Sequence, residues 1–343
     1  MTSFKDTYPF SAFGGKIDPI SEIRNAGIVT SGNVYWVKDP SDADYIPFKE
    51  SVGKENLFDT IQPAINKCTN DQNDYVMVCP KAGGSAWELA AAVDMNKSRV
   101  HLVSVGYNRG LHGYTNTIQG YAGATIMDNE VVHVTQEGCE IAGFRMLATA
   151  GTGAGGTLTN GILYLSGSAH NLYVHDCGIE TIGTDWDDAK PVSVVNAAAS
   201  QHGARFDNCL IGGTVAEGSG TQQPVTCAPS GQRWEFHNTK FLVDSGDTGR
   251  IFVTAGTGKI DYTLFDNCSF IDIDQGNSVA SAIAGNITDD QGMALVQNCH
   301  GYNLDAFGTD DNCWVTGQQS GTAEAGIHDP GIGAIGSAGV PAA

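Results

Sequence analysis

The stretch FDNCSF at residues 265–270 decides the fold, because the chain repeats its pattern at nearly constant intervals. A hydrophobic residue, a polar residue, an Asn or Asp and then usually a Cys recur in VHDCGI (174–179), FDNCLI (206–211), FHNTKF (236–241) and VQNCHG (296–301). The steps between the central residues are 32, 30, 29 and 31 residues, and these central residues are Asp176, Asn208, Asn238, Asn267 and Asn298. A period of this length is typical of stacked structural repeats.

A second apolar series runs out of phase with the first. It comprises VSVVNAA (192–198), PVTCAP (224–229), IFVTAG (251–256), SAIAGN (281–286) and WVTGQ (314–318). Its steps are 30, 28, 30 and 32 residues when they are counted between Val195, Val225, Val253, Ile283 and Val315. Because β-branched and aromatic residues dominate both series, each unit is expected to consist of strands. The two series predict an all-β, single-stranded right-handed parallel β-helix with one coil per period.

The Asn or Asp of each repeat is expected at a tight corner between two short strands. Asn tolerates positive φ better than other residues that carry a side chain, so it suits an abrupt bend. Phe206 and Phe265 would then point inward, because side chains alternate along a strand. Successive coils would place the five corner residues in a column about 4.8 Å apart, where their amides can hydrogen-bond along the axis. The sequence therefore predicts a structural ladder of Asp176, Asn208, Asn238, Asn267 and Asn298.

The cysteines that follow the corners are predicted to be core residues. Cys177, Cys209, Cys268 and Cys299 would turn inward, where a small side chain lets adjacent coils close. The chain has nine cysteines and no CxxC pair, which fits neither a complete disulfide framework nor a zinc ribbon. We therefore expect reduced thiols, no metal and no cofactor.

The region before the repeats predicts a short amphipathic helix in FDTIQPAINKC (58–68). Ile61, Ala64 and Ile65 share one helical face, and Asp59 or Thr60 is the expected N-cap. Such a helix would cover the open end of the coil stack. The predicted organisation is an N-terminal arm at 1–50, a β-helix at 51–319 and a Gly/Ala-rich tail at 320–343. We expect the arm and the tail to attach the protein to neighbouring subunits.

Composition excludes several classes of partner. Lys and Arg number 18 and Asp and Glu number 38, which gives a net charge of −20. A nucleic-acid binder needs a basic face, and an anionic membrane attracts basic residues, so neither is an expected partner. The opening MTSFKDTYPF lacks the pattern of a secretory signal, which disfavours a secreted enzyme, and the reduced thiols favour assembly in a cytoplasm.

One segment resembles a known superfamily. In FDTIQPAINKC, DYVMVCP and VDMNKSRVHLVSVG, the matching residues are Thr60, Ile61, Gln62, Ala64, Ile65, Pro80, Met95, Asn96 and 100–106. This pattern is similar to bacteriophage-encoded members of the pectin-lyase-like right-handed β-helix superfamily, over about residues 35 to 320. The resemblance implies the fold, together with a role either as a tailspike that binds or cuts polysaccharide or as a structural protein of the particle.

Two polar clusters are the candidate contacts for a glycan or a cation. They are TDWDD, with Asp185, Trp186, Asp187 and Asp188, and TDDN, with Asp310 and Asp311. Carboxylate pairs cleave glycosidic bonds and bind Ca²⁺, but Asp beside Gly and Asn is also an ordinary turn former. No matched acid, base and basic residue accompany them, so we predict no catalytic residues. His175 and His237 share one position of the repeat and are expected to face solvent.

The resulting hypothesis is a non-enzymatic structural component of a bacteriophage particle, most simply a capsid-associated decoration or cement protein. Its expected partners are other virion proteins, the major capsid protein above all, and copies of itself, as a trimer. Its expected location is the virion, after assembly in the host cytoplasm. The alternative is a tail fibre or tailspike that binds or depolymerises host surface polysaccharide, and a weaker one is a polysaccharide hydrolase or lyase.

Overall fold

The computed structural model describes most of the repeat region and leaves gaps between its strands. The described residues are 32–106, 116–120, 130–149, 161–182, 193–197, 201–213, 223–227, 233–243, 251–254, 262–273, 282–284, 294–304, 313–316 and 327–328.

The described helices are short and lie near the start of the chain. Helix α1 spans Tyr45–Val52 and helix α2 spans Ile61–Lys67, while 3₁₀ turns occupy Lys54–Asn56 and Ala82–Gly84. Thr60 is the N-cap of α2 and has extended backbone angles, and Pro63 falls in the first turn, where its missing N–H costs no hydrogen bond.

Three sheets make up the rest of the described fold, with almost every strand pairing parallel to the equivalent strand of the next coil. Sheet A has 11 strands, in the order β2 (Leu57–Phe58), β1 (Val34–Val37), β3 (Asp74–Val78), β6 (Val100–Ser104), β9 (Glu140–Ala142), β12 (Tyr173–His175), β15 (Arg205–Asp207), β18 (Trp234–His237), β21 (Thr263–Asp266), β24 (Ala294–Gln297) and β26 (Cys313–Thr316).

The other two sheets also run along the stack from its N-terminal end. Sheet B has 9 strands: β4 (Trp87–Leu89), β7 (Asn116–Gly120), β10 (Phe144–Thr149), β13 (Gly178–Ile182), β16 (Leu210–Gly213), β19 (Lys240–Val243), β22 (Ser269–Asp272), β25 (His300–Tyr302) and β27 (Ile327–His328). Sheet C has 7 strands: β5 (Val93–Met95), β8 (Val132–Val134), β11 (Leu163–Leu165), β14 (Ser193–Ala197), β17 (Gln223–Cys227), β20 (Phe252–Thr254) and β23 (Ile283–Ala284). The predicted fold class, a parallel β-helix, is confirmed.

The core is a set of side-chain columns that run along the helix axis. Phe206, Phe236 and Phe265 occupy paired positions of adjacent strands, and their rings stack at centroid distances of 5.0 and 5.1 Å. Phe241 and Phe270 form a second stack in sheet B, at 5.0 Å. All five rings are fully buried, so each coil depends on its neighbours for much of its apolar burial.

The second sequence series needs two corrections. Val225 pairs with Phe252 and not with Val253, so the observed register at that coil differs by one residue from the predicted register. Val315 does not belong to sheet C, because it pairs with Val296 in sheet A, only 19 residues further along the chain. The last step between sheet A strands is therefore much shorter than the period. The strand that contains Val315 lies at the spacing expected for sheet C but belongs to sheet A.

Both ends of the stack receive segments that the sequence placed outside the β-helix. Residues 34–37 of the predicted arm form β1, which pairs parallel with β2 and β3. In the predicted tail, Ile327 and His328 pair antiparallel with Tyr302 and Gly301, the last parallel strand of sheet B. Helix α2 buries Ile61, Ala64 and Ile65 in the main core, as expected for a helix that caps the first coils.

Helix α1 covers the outer face of sheet A at the first coils. Tyr45 and Phe48 pack with Trp36, Tyr75 and Met77 in a cluster that is separate from the main core. Phe48 meets Trp36 edge to face at 5.3 Å. The strands that follow, β6, β9 and β12, carry polar side chains on the same outer face, and the candidate site lies there.

Candidate functional site

The five predicted ladder residues lie at one corner of the coil, between sheet A and sheet B. Each has left-handed backbone angles, with φ between 50° and 54°, and the members are Asp176, Asn208, Asn238, Asn267 and Asn298. The first four bond to the next coil in the same way: the amide N–H of Asp176, for example, donates to the carbonyl of Asp207 at 3.0 Å. Gly143, with φ of 76°, continues the column one coil earlier. A left-handed corner explains why Asn and Gly recur there.

The side chains of this corner column form an alternating set of hydrogen bonds. Asn208 donates to Asp176 at 2.6 Å and Asn267 donates to Asn238 at 2.7 Å, directly along the column. Asn238 and Asn298 instead donate to the aspartates of the preceding coil's strand, Asp207 at 3.1 Å and Asp266 at 3.2 Å. The aspartates that precede two of the corners therefore accept hydrogen bonds between coils, whereas the sequence predicted such bonds only between the corner amides.

The four thiols next to the corners point into the core. Cys177, Cys209, Cys268 and Cys299 are buried and free of disulfide bonds. Burial raises the pKa of Cys177 to about 12 and raises the pKa of Cys209 and Cys268 well above the ordinary value. A thiol held in its neutral form is a poor nucleophile and a poor metal ligand, so this column has the properties of core packing.

The predicted glycan or cation contacts fall outside the described residues. This applies to Asp185, Trp186, Asp187, Asp188, Asp310 and Asp311. Among the residues that are described, no group of three or more His, Cys, Asp and Glu side chains is arranged to hold a metal ion. No helix in the described part of the chain is long and apolar enough to cross a membrane.

A polar cluster that the sequence analysis did not predict lies on the outer face of sheet A. His101 Nδ1 is 2.6 Å from Glu140 Oε2, and Glu140 Oε1 is 2.8 Å from His175 Nε2. His175 Nδ1 is in turn 2.8 Å from Asp176 Oδ2, and Asn208 donates to the other oxygen of Asp176. These five residues, named here the His–Glu cluster, connect β6, β9, β12 and the corner after β15.

Aromatic rings cover the His–Glu cluster. The His101 ring stacks on Tyr75 at 4.2 Å, and the His175 ring stacks on Tyr173 at 4.5 Å. The guanidinium of Arg205 lies 5.7 Å from the centre of the Tyr173 ring. His175 is consequently buried, and the expectation that it faces solvent is wrong. His237, at the equivalent position two coils later, is only half-buried, and it pairs with Asp207 and Asp266 on the adjacent strands.

The electrostatics of the cluster follow from burial and from these bonds. Burial by itself would raise the pKa of Glu140, but hydrogen bonds from His101 and His175 outweigh it and lower that pKa to about 2. Burial would likewise lower the pKa of His175, but Asp176 and Glu140 together raise it above its usual value. The arrangement can therefore hold a proton on His175 between two carboxylates.

A second column of left-handed residues precedes the sheet A strands. It comprises Asn73, Arg99, Gly138, Asn171, Gly203 and Arg233, and the strand registers place these residues one above another. A Cβ added to Gly203 would lie 2.4 Å from Asn171 Oδ1, so the column is tightly stacked there. Asn, Gly and Arg alternate in this column without a recurring sequence motif, so the sequence alone does not predict it. Arg at positive φ gives no sequence signal at all.

The topology defines the class of protein: a parallel β-helix whose sheet A strands run between two left-handed corners. No protein-family model matches the sequence, and neither does any curated protein. The solved structures that are similar to it include two with low sequence identity. One is a pectin methylesterase mutant in complex with a hexasaccharide, with 13% identity and a TM-score of 0.43, covering 87% of this chain and 75% of that one. The other is Escherichia coli YbhC, with 12% identity and a TM-score of 0.48, covering 85% of this chain and 80% of that one.

Proposed function

We propose that this protein is a non-enzymatic structural component of a bacteriophage particle, attached to the capsid surface as a decoration or cement protein. The observation that carries the proposal is the resemblance of the segment 60–106 to phage-encoded β-helices. In the structure, Ile61, Ala64 and Ile65 of that segment form the buried face of the capping helix. Val100–Ser104 forms a sheet A strand in the first coils.

The mechanical properties of the fold support a scaffold role. Stacked phenylalanines, stacked corner amides and an 11-stranded sheet join every coil to the next. A solenoid of this kind resists bending because the described strands of successive coils pair with one another. The net charge of −20 keeps such a body soluble at high copy number and disfavours contact with packaged nucleic acid.

The decisive experiment counts the chain in purified particles. Quantitative mass spectrometry would give the copies of this protein per major capsid protein, with a known minor tail protein as the internal control. A copy number that matches the symmetric positions of the shell supports the proposal. A few copies per particle would point to the tail, and absence from the particle would contradict both structural roles.

A tailspike that binds or depolymerises polysaccharide is the second candidate. It is favoured by the outer face of sheet A, where Tyr173 is half-buried and Arg205 is exposed, since aromatic rings and guanidinium groups contact sugars readily. We expect no glycosidase or lyase activity. Incubation with host capsule, pectic and alginate polymers tests this expectation. Release of reducing ends or unsaturated products that Asp187→Ala or Asp310→Ala abolishes would show the expectation to be wrong.

A further inference from the structure

His175 is hydrogen-bonded on both sides of its ring to carboxylates. Nε2 lies 2.8 Å from Glu140, on the preceding strand of sheet A, and Nδ1 lies 2.8 Å from Asp176, at the corner that follows β12. An ionised carboxylate accepts hydrogen bonds and cannot donate one. Both contacts are therefore hydrogen bonds only when each ring nitrogen carries a proton, which is the imidazolium form.

The three groups are well shielded from solvent. The exposed fractions of the side chains are 5% for His175, 12% for Glu140 and 9% for Asp176. At this burial, charges are weakly screened and an uncompensated charge is costly. A neutral His175 would present a lone pair to one of its two carboxylates, so one bond would be lost and the two carboxylates would no longer have a cation between them.

Other titratable groups lie on the elements that pack near the cluster. His101 shares Glu140, and Tyr75 and Tyr173 stack on the two histidine rings. Arg205 forms an ion pair at 3.4 Å with Asp207, its neighbour on β15. Helix α1 contributes Tyr45, whose hydroxyl donates to Asp59. The His101 side chain has Nδ1 on Glu140, while its buried Nε2 has no hydrogen-bond partner among the described residues.

We propose that the proton on His175 is a pH-operated latch that fastens three consecutive coils at the corner formed by Gly143, Asp176 and Asn208. With the proton in place, the His175 ring donates hydrogen bonds to both Glu140 and Asp176. Asn208, on the next coil, donates a further hydrogen bond to Asp176. Loss of the proton as the pH rises releases the corner. This function is independent of whether the protein belongs to a phage particle.

The direction of the pH effect follows from proton linkage. The folded protein holds this proton more tightly than the unfolded chain, in which an ordinary His has a pKa of about 6.5. The stabilisation is therefore complete below about pH 6.5 and is lost as the pH rises through the higher pKa of folded His175. Within that window, one proton changes the folding equilibrium constant by up to about tenfold per pH unit.

Two measurements on the full-length protein test the latch. Nitrogen NMR of histidine-labelled protein reports the protonation of each ring directly. Hydrogen exchange, corrected for its intrinsic pH dependence, reports opening of 139–148 and 172–180 relative to 234–243. We expect both nitrogens of His175 to be protonated at pH 7, and protection of the first two segments to fall up to tenfold per pH unit as the ring loses its proton.

Glu140→Gln and His237→Gln are the matched variants. Glu140→Gln removes one carboxylate, so loss of the His175 proton and of protection should occur at lower pH. His237 occupies the same position two coils later, 3.2 Å from Glu235 and more exposed, and its replacement should leave the profile unchanged. A neutral His175 ring at pH 7 in the wild-type protein overturns the proposal, even if Glu140→Gln fails to fold. A pH profile that Glu140→Gln does not move overturns it as well.

Discussion

At the scale of single residues, left-handed corners fix the path of the chain. Asn267 has a φ of 53°, and its amide donates to Asn238 at 2.7 Å, so it serves both the backbone conformation and the contact between coils. The two contributions have different physical origins. A left-handed conformation costs a residue with a Cβ roughly 1–2 kcal/mol, while a hydrogen bond contributes about 1 kcal/mol.

Substitutions at Asn267 separate these contributions. We expect Asn267→Ala to lower the free energy of unfolding by about 2 kcal/mol, because it loses both the tolerated conformation and the amide bond. Asn267→Gly should lose less, since glycine adopts positive φ freely. Urea unfolding followed by circular dichroism gives both values, with Ser269→Ala on the neighbouring strand as the control. Equal losses for Ala and Gly would contradict the role of the corner conformation.

The ionisation of Glu140 should make the free energy of unfolding depend on pH in acid. Its pKa in the folded state is about 2, against an ordinary value near 4.5, because His101 and His175 outweigh the effect of burial. The folded state thus favours the ionised carboxylate, so its stabilisation is present above about pH 4.5 and is lost as the pH falls towards 2. The wild-type protein should lose on the order of 3 kcal/mol through this group across that window.

The acid measurement compares the wild-type protein with Glu140→Gln. The variant lacks the titrating group, so its unfolding free energy should change less between pH 4.5 and pH 2. Glu235→Gln is the control, because Glu235 is a half-exposed carboxylate beside His237 on the same face of the sheet. Parallel profiles for the wild type and Glu140→Gln would mean that Glu140 is not the group responsible.

At the scale of elements, each strand is stable only through its neighbours in the stack. Phe236 lies between Phe206 and Phe265 and also meets Phe241 edge to face at 5.3 Å. We expect Phe236→Ala to lower the free energy of unfolding by about 3–5 kcal/mol, the usual cost of a large cavity in a buried core. Leu264→Ala, on the outward and half-buried side of β21, should cost far less in the same thermal unfolding assay. A small loss at Phe236 would mean that the coils tolerate a gap in the aromatic column.

At the scale of the whole molecule, a short strand beyond the last coil pairs with the stack. The strand Ile327–His328 pairs antiparallel with Tyr302 and Gly301, so part of the predicted attachment tail covers an edge of its own sheet B. An unpaired strand edge is a template for association with other chains. The tail therefore has a contact within the chain, alongside its proposed role in attachment.

Deletion of residues 321–343 tests both roles of the tail. We expect the β-sheet signal in circular dichroism to persist, because the coils before residue 304 keep their neighbours. Incorporation into particles should fall, and light scattering should show more self-association, since the edge of β25 is exposed. Wild-type copy number in particles would remove the tail from the attachment mechanism, and unchanged light scattering would remove it from edge protection.

Local sequence was sufficient to predict the features of this protein that depend on one short stretch of residues. One short repeated motif contains both the corner residues, from Asp176 to Asn298, and the inward thiols. The helix around Ile61 and Ile65 shows helical periodicity of its apolar residues. These features depend on the backbone preference of one residue or on the alternation of a few neighbours, which a single stretch of sequence displays. Period and residue type therefore predicted the β-helix before any contact was known.

The tertiary structure alone decided what depends on register between coils. Glu140 and His175 are 35 residues apart and meet because β9 and β12 pair in one particular alignment. The burial of His175, the second corner column with Arg99 and Arg233, and the short last step to Val315 have the same origin. Connections of variable length separate the strands, so the sequence distance between two residues does not fix which of them stack. Register is set by the summed packing of the whole stack.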